Sequence, residues 1–534
     1  MIMIRSVEKL PGHEDLSVMA GAPMLTSYQE AGLLTTFPLH DYEELERLEA
    51  SWTRARILAP PLDLIRNYFG ENVALYWSFA ETYTWLLVIM AVLGAVQWVL
   101  TKVDINHLCI NVAFTFLNLI ILAFFCEFWK RKSREHSFFW GTSGHLRLKR
   151  PRPEYRGELR RHPVTGNLER YYSSWERKKK IAFVSFPMTL VYLLILPSAF
   201  IEAEKSIEDN SFSSKIPTFD LIFKIAMKLC LLPSIYIYIG NSLLNVISFK
   251  MYLILGKVLT DWENHRTEEQ YNFHITMKLV SFEFFKIFLA MFYICFWLGD
   301  LGPIKAQLVT DLVVAQALDH GQEWLLPWLL QTRVVTSSLQ RIRAKLAAAE
   351  APQQRSITGV ADIASEDERT AQFNRNNLQS VALNDSLHSD YMELWRQFAR
   401  VSLFSSISPL SAVIAMISVV TELFADRHKF LHLSRKPVPV ALRDIGGWYL
   451  AFYLTSVISI ISNCALIAMD LRDTAGAGWS DAEWILLFIT IEHVFLAIFF
   501  GIDPLVPDTS ARVKRAMDTT DYYFKQIVVR IRGL

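Results

Sequence analysis

The chain of 534 residues is 52% hydrophobic and 13% aromatic, and its formal net charge is only +1. Several apolar runs exceed the ~18 residues that a membrane helix requires, which indicates a polytopic membrane protein and disfavours a soluble enzyme. The net charge says nothing about nucleic acid, but no nucleic-acid-binding motif stands out, so no nucleic-acid partner is expected. Five cysteines stand singly in apolar segments without a CxxC pair, which argues against a zinc site or a disulfide framework.

Residues 1–75 are mixed polar sequence, predicted to form a short cytosolic region with one helix over 41–54, where acids crowd the first turn. Residues 76–505 are predicted to form an all-α transmembrane domain, and residues 506–534 a cytosolic C-terminal helix. The apolar runs predict ten spans, at 78–100, 107–128, 181–202, 217–248, 275–298, 306–333, 390–407, 409–425, 446–470 and 483–505. A proline turn near Ser408-Pro409 separates the seventh span from the eighth.

The distribution of basic residues predicts the orientation of these spans. Residues 129–180 contain 16 Lys or Arg against 5 acids, so the positive-inside rule places this loop in the cytosol. Both termini and the polar linker 334–389 are then also cytosolic, and the outside loops are short.

Three of the predicted spans carry pairs of carboxylates at helical spacing. The pairs are Asp319 and Glu323, Asp390 and Glu393, and Glu422 and Asp426. Because residues three or four apart share a helix face, each span presents two acids in one direction. An ionised carboxylate at the bilayer centre costs about 2.5 to 3.5 kcal/mol, so six of them require compensation. Calcium, which prefers six to eight oxygen ligands, is the simplest compensating partner, and three pairs could hold two ions.

An alternative interpretation needs no metal. Some of these acids could lie at membrane ends in water, or pair with the basic residues Arg396, Arg400, Arg427 or Lys429. A single pair fits this interpretation as well as it fits a metal site. Three pairs on successive spans favour the metal site.

Several ordered motifs over residues 37–530 resemble the anoctamin family of calcium-activated scramblases and chloride channels. They include Tyr391-Met392-Glu393, Thr421-Glu422, Arg435-Lys436-Pro437-Val438-Pro439, Asp444-Ile445-Gly446, Arg66-Asn67-Tyr68-Phe69-Gly70-Glu71 and Glu127-Phe128-Trp129-Lys130-Arg131. Phe37-Pro38-Leu39-His40-Asp41 and Trp262-Glu263-Asn264-His265-Arg266 are most similar to the endoplasmic-reticulum branch, the K-type anoctamin. The resemblance implies the anoctamin fold, with ten transmembrane helices, cytosolic termini and a homodimer formed through the tenth span.

The resemblance also implies two calcium sites. The main site lies between spans six, seven and eight, and its ligands carry over to Asp319, Glu323, Asp390, Glu393, Glu422 and Asp426. Asp319 and Ser418 depart from the family, which usually has Asn at both positions. A second, peripheral site between spans two and ten carries over to Glu127, Asp503 and Asp508. Pairing of these three acids with Lys130 and Arg131 is an equally good interpretation.

In the family, calcium draws the sixth helix toward the seventh and eighth, and this rearranges a groove lined by helices three to seven. Gly321 and Pro327 are candidate bending points of that helix. The candidate groove residues are Lys224, Lys228, Tyr236, Tyr238, Glu283 and Lys286. Two alternatives stay open. Glu283 and Lys286 could neutralise each other on a packed face, or Lys224 and Lys228 could extend to the membrane interface.

The expected activity is calcium-activated phospholipid scrambling in the endoplasmic reticulum or another intracellular membrane, with phospholipids and calcium ions as partners. A calcium-activated chloride or nonselective ion channel is the alternative, and a membrane tether with a degenerate groove is a third. No nucleophile with an adjacent base supports an enzyme. Family members carry a larger N-terminal domain than the 75 residues that precede the first predicted span.

Overall fold

The structure, a computed structural model, is mostly helical. It describes residues 8–10, 13–18, 38–55, 59–103, 107–142, 152, 154–161, 166, 168–192, 251–293, 295–296, 308–310, 312–313, 387–475 and 480–532. They belong to two compact units. The first comprises 1–145, 307–445 and 455–534, and the second comprises 146–306 and 446–454.

The first unit opens with a two-stranded antiparallel sheet, β1 (Glu8–Leu10) and β2 (His13–Val18). Helix α1 (Tyr42–Arg54) follows, and the Asp41 carboxylate accepts from the backbone N–H groups of Glu43 and Glu44. This cap, with acids in the first turn, explains why the predicted helix begins here, and the prediction is confirmed. Helix α2 (Leu62–Phe69) ends at Gly70, whose φ of +100° favours glycine.

Four of the described helices are long and apolar enough to cross a membrane by length and composition. Helices α3 (Glu71–Lys102) and α4 (His107–Phe139) coincide with the first two predicted spans. Helices α10 (Gly447–Ala475) and α11 (Asp481–Ile502) coincide with the last two, and α11 begins at a Ser480–Glu483 capping box. Their apolar windows have mean hydropathies between 1.9 and 2.4.

Helices α8 (Leu387–Leu403) and α9 (Ser411–His428) pack with α3 around a layer of buried aromatic side chains. Tyr76 contacts Tyr391 edge-on with ring centroids 5.2 Å apart, and Tyr83 contacts Phe398 at 6.0 Å. Such pairs contribute about 0.5–1.5 kcal/mol each beyond the burial of their area. Helix α9 continues into a π-helical turn, Lys429–Leu433.

The chain between α8 and α9 leaves the helical conformation at residues 404–410, where the sequence predicts a proline turn. Asn463 of α10 stabilises this break, since its Nδ2 donates to Ser402 O and its Oδ1 accepts from Ser405 Oγ and Ser406 N. Gly94 of α3 lies against the same turn, because a Cβ there would be 2.0 Å from Pro409 O. The close approach requires glycine.

The second unit contains the hairpin β3 (Glu158–Arg161) and β4 (Leu168–Tyr171), followed by α5 (Ser174–Lys180), which continues as a π-helical turn, Ile181–Ser185. Helix α6 covers residues 251–263, and α7 is Glu268–Tyr293. The α6–α7 turn contains Asn264, whose φ is 59° and whose side chain bonds the backbone of Arg156. The Tyr252 and Phe282 rings stack at 4.3 Å between these helices.

In the first unit a 3-10 turn, Asp503–Leu505, follows α11, and helix α12 (Ala511–Arg532) completes the described chain. The mostly helical fold fits the prediction of an all-α membrane protein, and four short strands in the described residues form outside the predicted spans. Gly166, between β3 and β4, has a φ of +69°, which favours glycine. The fourth predicted span and most of the sixth lie outside the described residues.

Candidate metal centre

The four described carboxylates of the predicted main site lie on α8 and α9. Asp390, Glu422 and Asp426 are each only 1% exposed, and Glu393 is half-buried. The 3.6-residue period puts the two acids of each helix on one face, as the spacing predicts. Charged groups buried to this degree require partners.

Lys429 supplies a positive charge to this cluster. Its ammonium Nζ lies 2.8 Å from Asp390 Oδ1 and 3.0 Å from Asp426 Oδ1, and the side chain is itself buried. Lys429 therefore connects α8 with the end of α9. This is one of the ion pairs that the metal-free interpretation of the acids predicts.

Neutral side chains complete the surroundings of the acids. The Tyr76 hydroxyl of α3 donates to Asp426 Oδ2, and Gln397 Nε2 donates to Glu422 Oε2 at 2.8 Å. Sequence reasoning missed both residues. The sequence could have indicated Gln397, because this residue follows Glu393 by four positions and so shares its helix face. The contact of Tyr76 could not be predicted, because it arises only from the packing of α3 on α9.

The chemistry of the cluster fits a calcium ion. Within the described residues, two further buried oxygens, Gln397 Oε1 and Ser418 Oγ, accept or donate no hydrogen bond. Carboxylate, amide and hydroxyl oxygens are the ligand types that calcium prefers. No three of the four described acids bring one carboxylate oxygen each within 4.8 Å of one another. Two of them, Asp390 and Asp426, are instead paired with Lys429.

The remaining predicted ligands, Asp319 and Glu323, lie outside the described residues, as do the candidate bending points Gly321 and Pro327. Of the predicted ligands on α8 and α9, the structure links Asp390 to Asp426 through Lys429, and it does not describe the predicted ligands of the sixth span.

The three acids of the predicted peripheral site lie close together, with Glu127 on α4 and Asp503 and Asp508 just after α11. Glu127, Asp503 and Asp508 bring one carboxylate oxygen each within 4.8 Å of one another. Lys130 Nζ lies 3.0 Å from Glu127 Oε2, 2.5 Å from Asp503 Oδ1 and 3.3 Å from Asp508 Oδ1.

A second cation also contacts this trio, since Arg134 lies 2.6 Å from Asp508 and this hydrogen bond lowers the pKa of Asp508. The pairing interpretation was thus right about Lys130. The second basic residue that it names is Arg131, whereas the structure pairs Asp508 with Arg134. Lys130 and Arg134 are four residues apart on α4, so they share a helix face and both contact Asp508.

Two of the candidate groove residues are described. Glu283 and Lys286 of α7 form an ion pair at 2.8 Å, and Glu283 is 2% exposed. This is the mutual neutralisation that the alternative interpretation predicts. Lys224, Lys228, Tyr236 and Tyr238 lie outside the described residues.

Sequence reasoning missed a third polar cluster, in the second unit. Glu263, His265 and His274 bring ligand atoms within 4.8 Å of one another. Both Glu263 oxygens are already engaged, one by His265 Nε2 at 2.7 Å and the other by Lys278 Nζ at 2.8 Å. We therefore assign this cluster to an ion-pair network that joins α6 to α7. The two histidines are nine residues apart across a turn, so no spacing rule could have predicted their contact.

Apolar helices of membrane-spanning length and a buried cluster of acids between helices define a multi-span membrane protein with a candidate cation site. Residues 65–520 match the family described as "Anoctamin: Calcium-activated chloride channel". The chain belongs to the anoctamin family, as the sequence motifs indicate.

Similar proteins agree with this assignment. The chain is 31% identical to Anoctamin-10 of Mus musculus, with 97% of this chain and 75% of that protein covered. It is also 31% identical to Anoctamin-10 of Homo sapiens, over 96% and 74%. It is 32% identical to Anoctamin-8 of Mus musculus, over 58% and 28%.

Proposed function

We propose that this protein is a calcium-activated phospholipid scramblase, which moves lipids between leaflets through a membrane-facing polar groove. The observation that carries the calcium dependence is the burial of Asp390, Glu422 and Asp426 around oxygen ligands between two helices. Such a cluster is costly without a cation.

Calcium activation follows from the charge of this cluster. Two helices carry four carboxylates, and Lys429 offsets one negative charge. A divalent cation would offset two more and remove repulsion between the helices that supply its ligands. The proposed ligand set is Asp319, Glu323, Asp390, Glu393, Glu422 and Asp426, and the sixth span would move on binding with Gly321 and Pro327 as hinges.

The proposal of lipid rather than anion transport is supported by the Glu283–Lys286 pair. This pair has no net charge. A net-neutral pair exerts little net attraction on chloride, which favours lipid over anion transport along the proposed path. Lys224, Lys228, Tyr236 and Tyr238 complete the proposed polar path.

The test uses purified full-length protein in liposomes that carry a fluorescent lipid in both leaflets. Dithionite bleaches only the outer-leaflet label, so scrambling increases the bleached fraction above one half. We expect this increase with calcium and not with a chelator. A lipid-independent chloride flux under the same conditions would instead support a calcium-activated chloride channel, the activity by which the matched family is described. Absence of both activities would support a membrane tether.

The site assignment has its own test, the substitution Glu422→Gln. The variant keeps an oxygen that can accept the hydrogen bond from Gln397, so it preserves packing and removes only the charge. We expect calcium activation to shift to at least tenfold higher concentration, which corresponds to about 1.4 kcal/mol. Glu46→Gln, the same change on the exposed face of α1, is the matched control. An unchanged calcium response of Glu422→Gln contradicts the assignment.

We also propose a homodimer formed through the tenth span and residence in the endoplasmic reticulum or another intracellular membrane. Both follow from the motifs of the K-type branch. Chemical cross-linking in native membranes tests the first proposal, and fractionation of cells that express the untagged chain tests the second.

A further inference from the structure

Helix α12 has an apolar face that the described residues leave largely open. Val513, Met517, Thr520, Phe524 and Ile527 recur at alternating intervals of four and three residues, so they share one face. Val513 at the start is 2% exposed, whereas Met517 is 46%, Phe524 65% and Ile527 54% exposed. The helix is therefore anchored at its first turn and presents apolar side chains beyond it.

The rest of α12 is strongly basic. It has six basic and two acidic side chains, a net charge of +4, namely Arg512, Lys514, Arg515, Lys525, Arg530 and Arg532 against Asp518 and Asp521. A basic polar face opposite an apolar face with an aromatic residue is typical of helices that lie in a membrane interface.

The connection to α11 keeps α12 near the membrane. The apolar segment of α11 and its 3-10 turn end at Leu505, and α12 begins six residues later at Ala511. A fully extended chain of that length reaches roughly 20 Å. Arg512 also lies over the Phe139 ring at the C-terminal end of α4, 4.8 Å from its centroid, so the first turn of α12 packs on the part of α4 that continues past its predicted span. The positive-inside rule predicts that this end of α4 is cytosolic.

We propose that α12 lies on the cytosolic leaflet, with Met517, Phe524 and Ile527 in the headgroup boundary and its basic side chains on anionic lipid. Charge complementarity favours this occupant over a second copy of the helix, because two copies side by side would oppose +4 with +4. The polar Thr520 in the middle of the face also disfavours a helix–helix seam. Anionic phospholipids at the cytosolic surface attract such basic segments.

The test places a nitroxide spin label at two positions on opposite faces, by Phe524→Cys and by Tyr522→Cys. Both are made in full-length protein in which Cys109 and Cys230 are replaced by Ser. The protein is reconstituted in liposomes of phosphatidylcholine alone or with about 30% of the anionic lipid phosphatidylserine, which attracts basic segments. Collision with oxygen, which is concentrated in lipid, is compared with collision with a water-soluble nickel chelate.

With phosphatidylserine present, we expect the label at 524 to be at least threefold less accessible to nickel than the label at 522, and more accessible to oxygen. Adding Arg515→Glu and Lys525→Glu should abolish this difference, because the charge then falls from +4 to 0. Equal nickel accessibility at both positions in every liposome would overturn the proposal. Strong spin–spin broadening at 524 that persists in detergent would overturn it in favour of a second copy.

Discussion

Lys429 is the residue that most directly links the carboxylate cluster to its proposed regulation. Its ammonium bridges Asp390 and Asp426 at 2.8 and 3.0 Å, in a buried position where Coulomb interactions are strong. The same two oxygens are proposed calcium ligands. Under the proposed function, lysine and calcium would compete for these oxygens, and the lysine would serve as a tethered counter-ion at low calcium.

Replacement of this lysine by an uncharged side chain should strengthen calcium binding. We expect Lys429→Met to bind calcium at least tenfold more tightly in isothermal titration calorimetry. Its thermal stability in a chelator should fall, because removal of one partner from a buried pair costs about 3–5 kcal/mol. Exposed Lys257→Met serves as the control. Calcium affinity equal to or weaker than that of the wild type would show that Lys429 does not compete.

At the scale of elements, Asn463 connects α10 to the break between α8 and α9. It makes four hydrogen bonds of 2.8 to 3.1 Å, to Ser402, Ser405, Ser406 and Ser459. Because α8 ends and α9 begins at this break, these hydrogen bonds stabilise the turn that joins the two helices carrying the acids.

Asn463→Ala should destabilise the protein by roughly 2–6 kcal/mol, from four lost bonds of about 0.5–1.5 kcal/mol each. Tryptophan fluorescence during heating in detergent measures the effect. Ser462→Ala removes a single bond, from Ser462 Oγ to Leu403 O, and should lower the melting temperature less. If the two variants melt at the same temperature, the break is not held by Asn463.

The ion-pair network between α6 and α7 should make the second unit sensitive to acid. The pKa of His274 is lowered to about 4. Burial is the largest cause, and the adjacent His265 is the second. Burial raises the pKa of Glu263, but His265 and Lys278 outweigh it and lower that pKa to about 2. As the pH falls, His274 therefore takes up a proton near pH 6.5 in the unfolded chain. In the folded chain it takes up the same proton only near pH 4.

The sign of this linkage defines the pH window. Stability that depends on neutral His274 is complete above about pH 6.5 and is lost as the pH falls toward 4, before Glu263 begins to take up a proton. We expect the melting temperature to fall between pH 7.5 and 5, and to fall less in His274→Gln. His493→Gln, on α11, is the control. An identical pH dependence in wild type and His274→Gln would contradict this role.

At the scale of the whole molecule, transport should respond to the polarity of the path. Replacing Glu283 and Lys286 together by Asn removes both charges and leaves no unpaired buried ion, so folding should be preserved. We expect a several-fold lower rate of lipid scrambling in the dithionite assay at saturating calcium, with the calcium concentration for half activation unchanged. A wild-type rate would assign the pair to packing alone.

Much of this protein follows from local sequence patterns. Membrane helices α3, α4, α10 and α11 are predicted by apolar runs, because in a bilayer every backbone polar group must be satisfied within the segment. Helix α1 follows from its acidic first turn, and the shared faces of the acids on α8 and α9 follow from the helical period. Ordered motifs over most of the chain were enough to indicate the family, which the comparisons establish.

Contacts between segments distant in sequence needed the tertiary structure. Tyr76 and Asp426 are 350 residues apart, and Ser405 and Asn463 are 58 apart. Lys429 appears in the sequence only as one of four possible cations, and packing of α8 against α9 selects it for Asp390. Periodicity therefore determined which side chains share a helix face, whereas the packing of helices decided which faces meet. A buried charge requires a partner, and the sequence alone does not show which of several candidate residues that partner is.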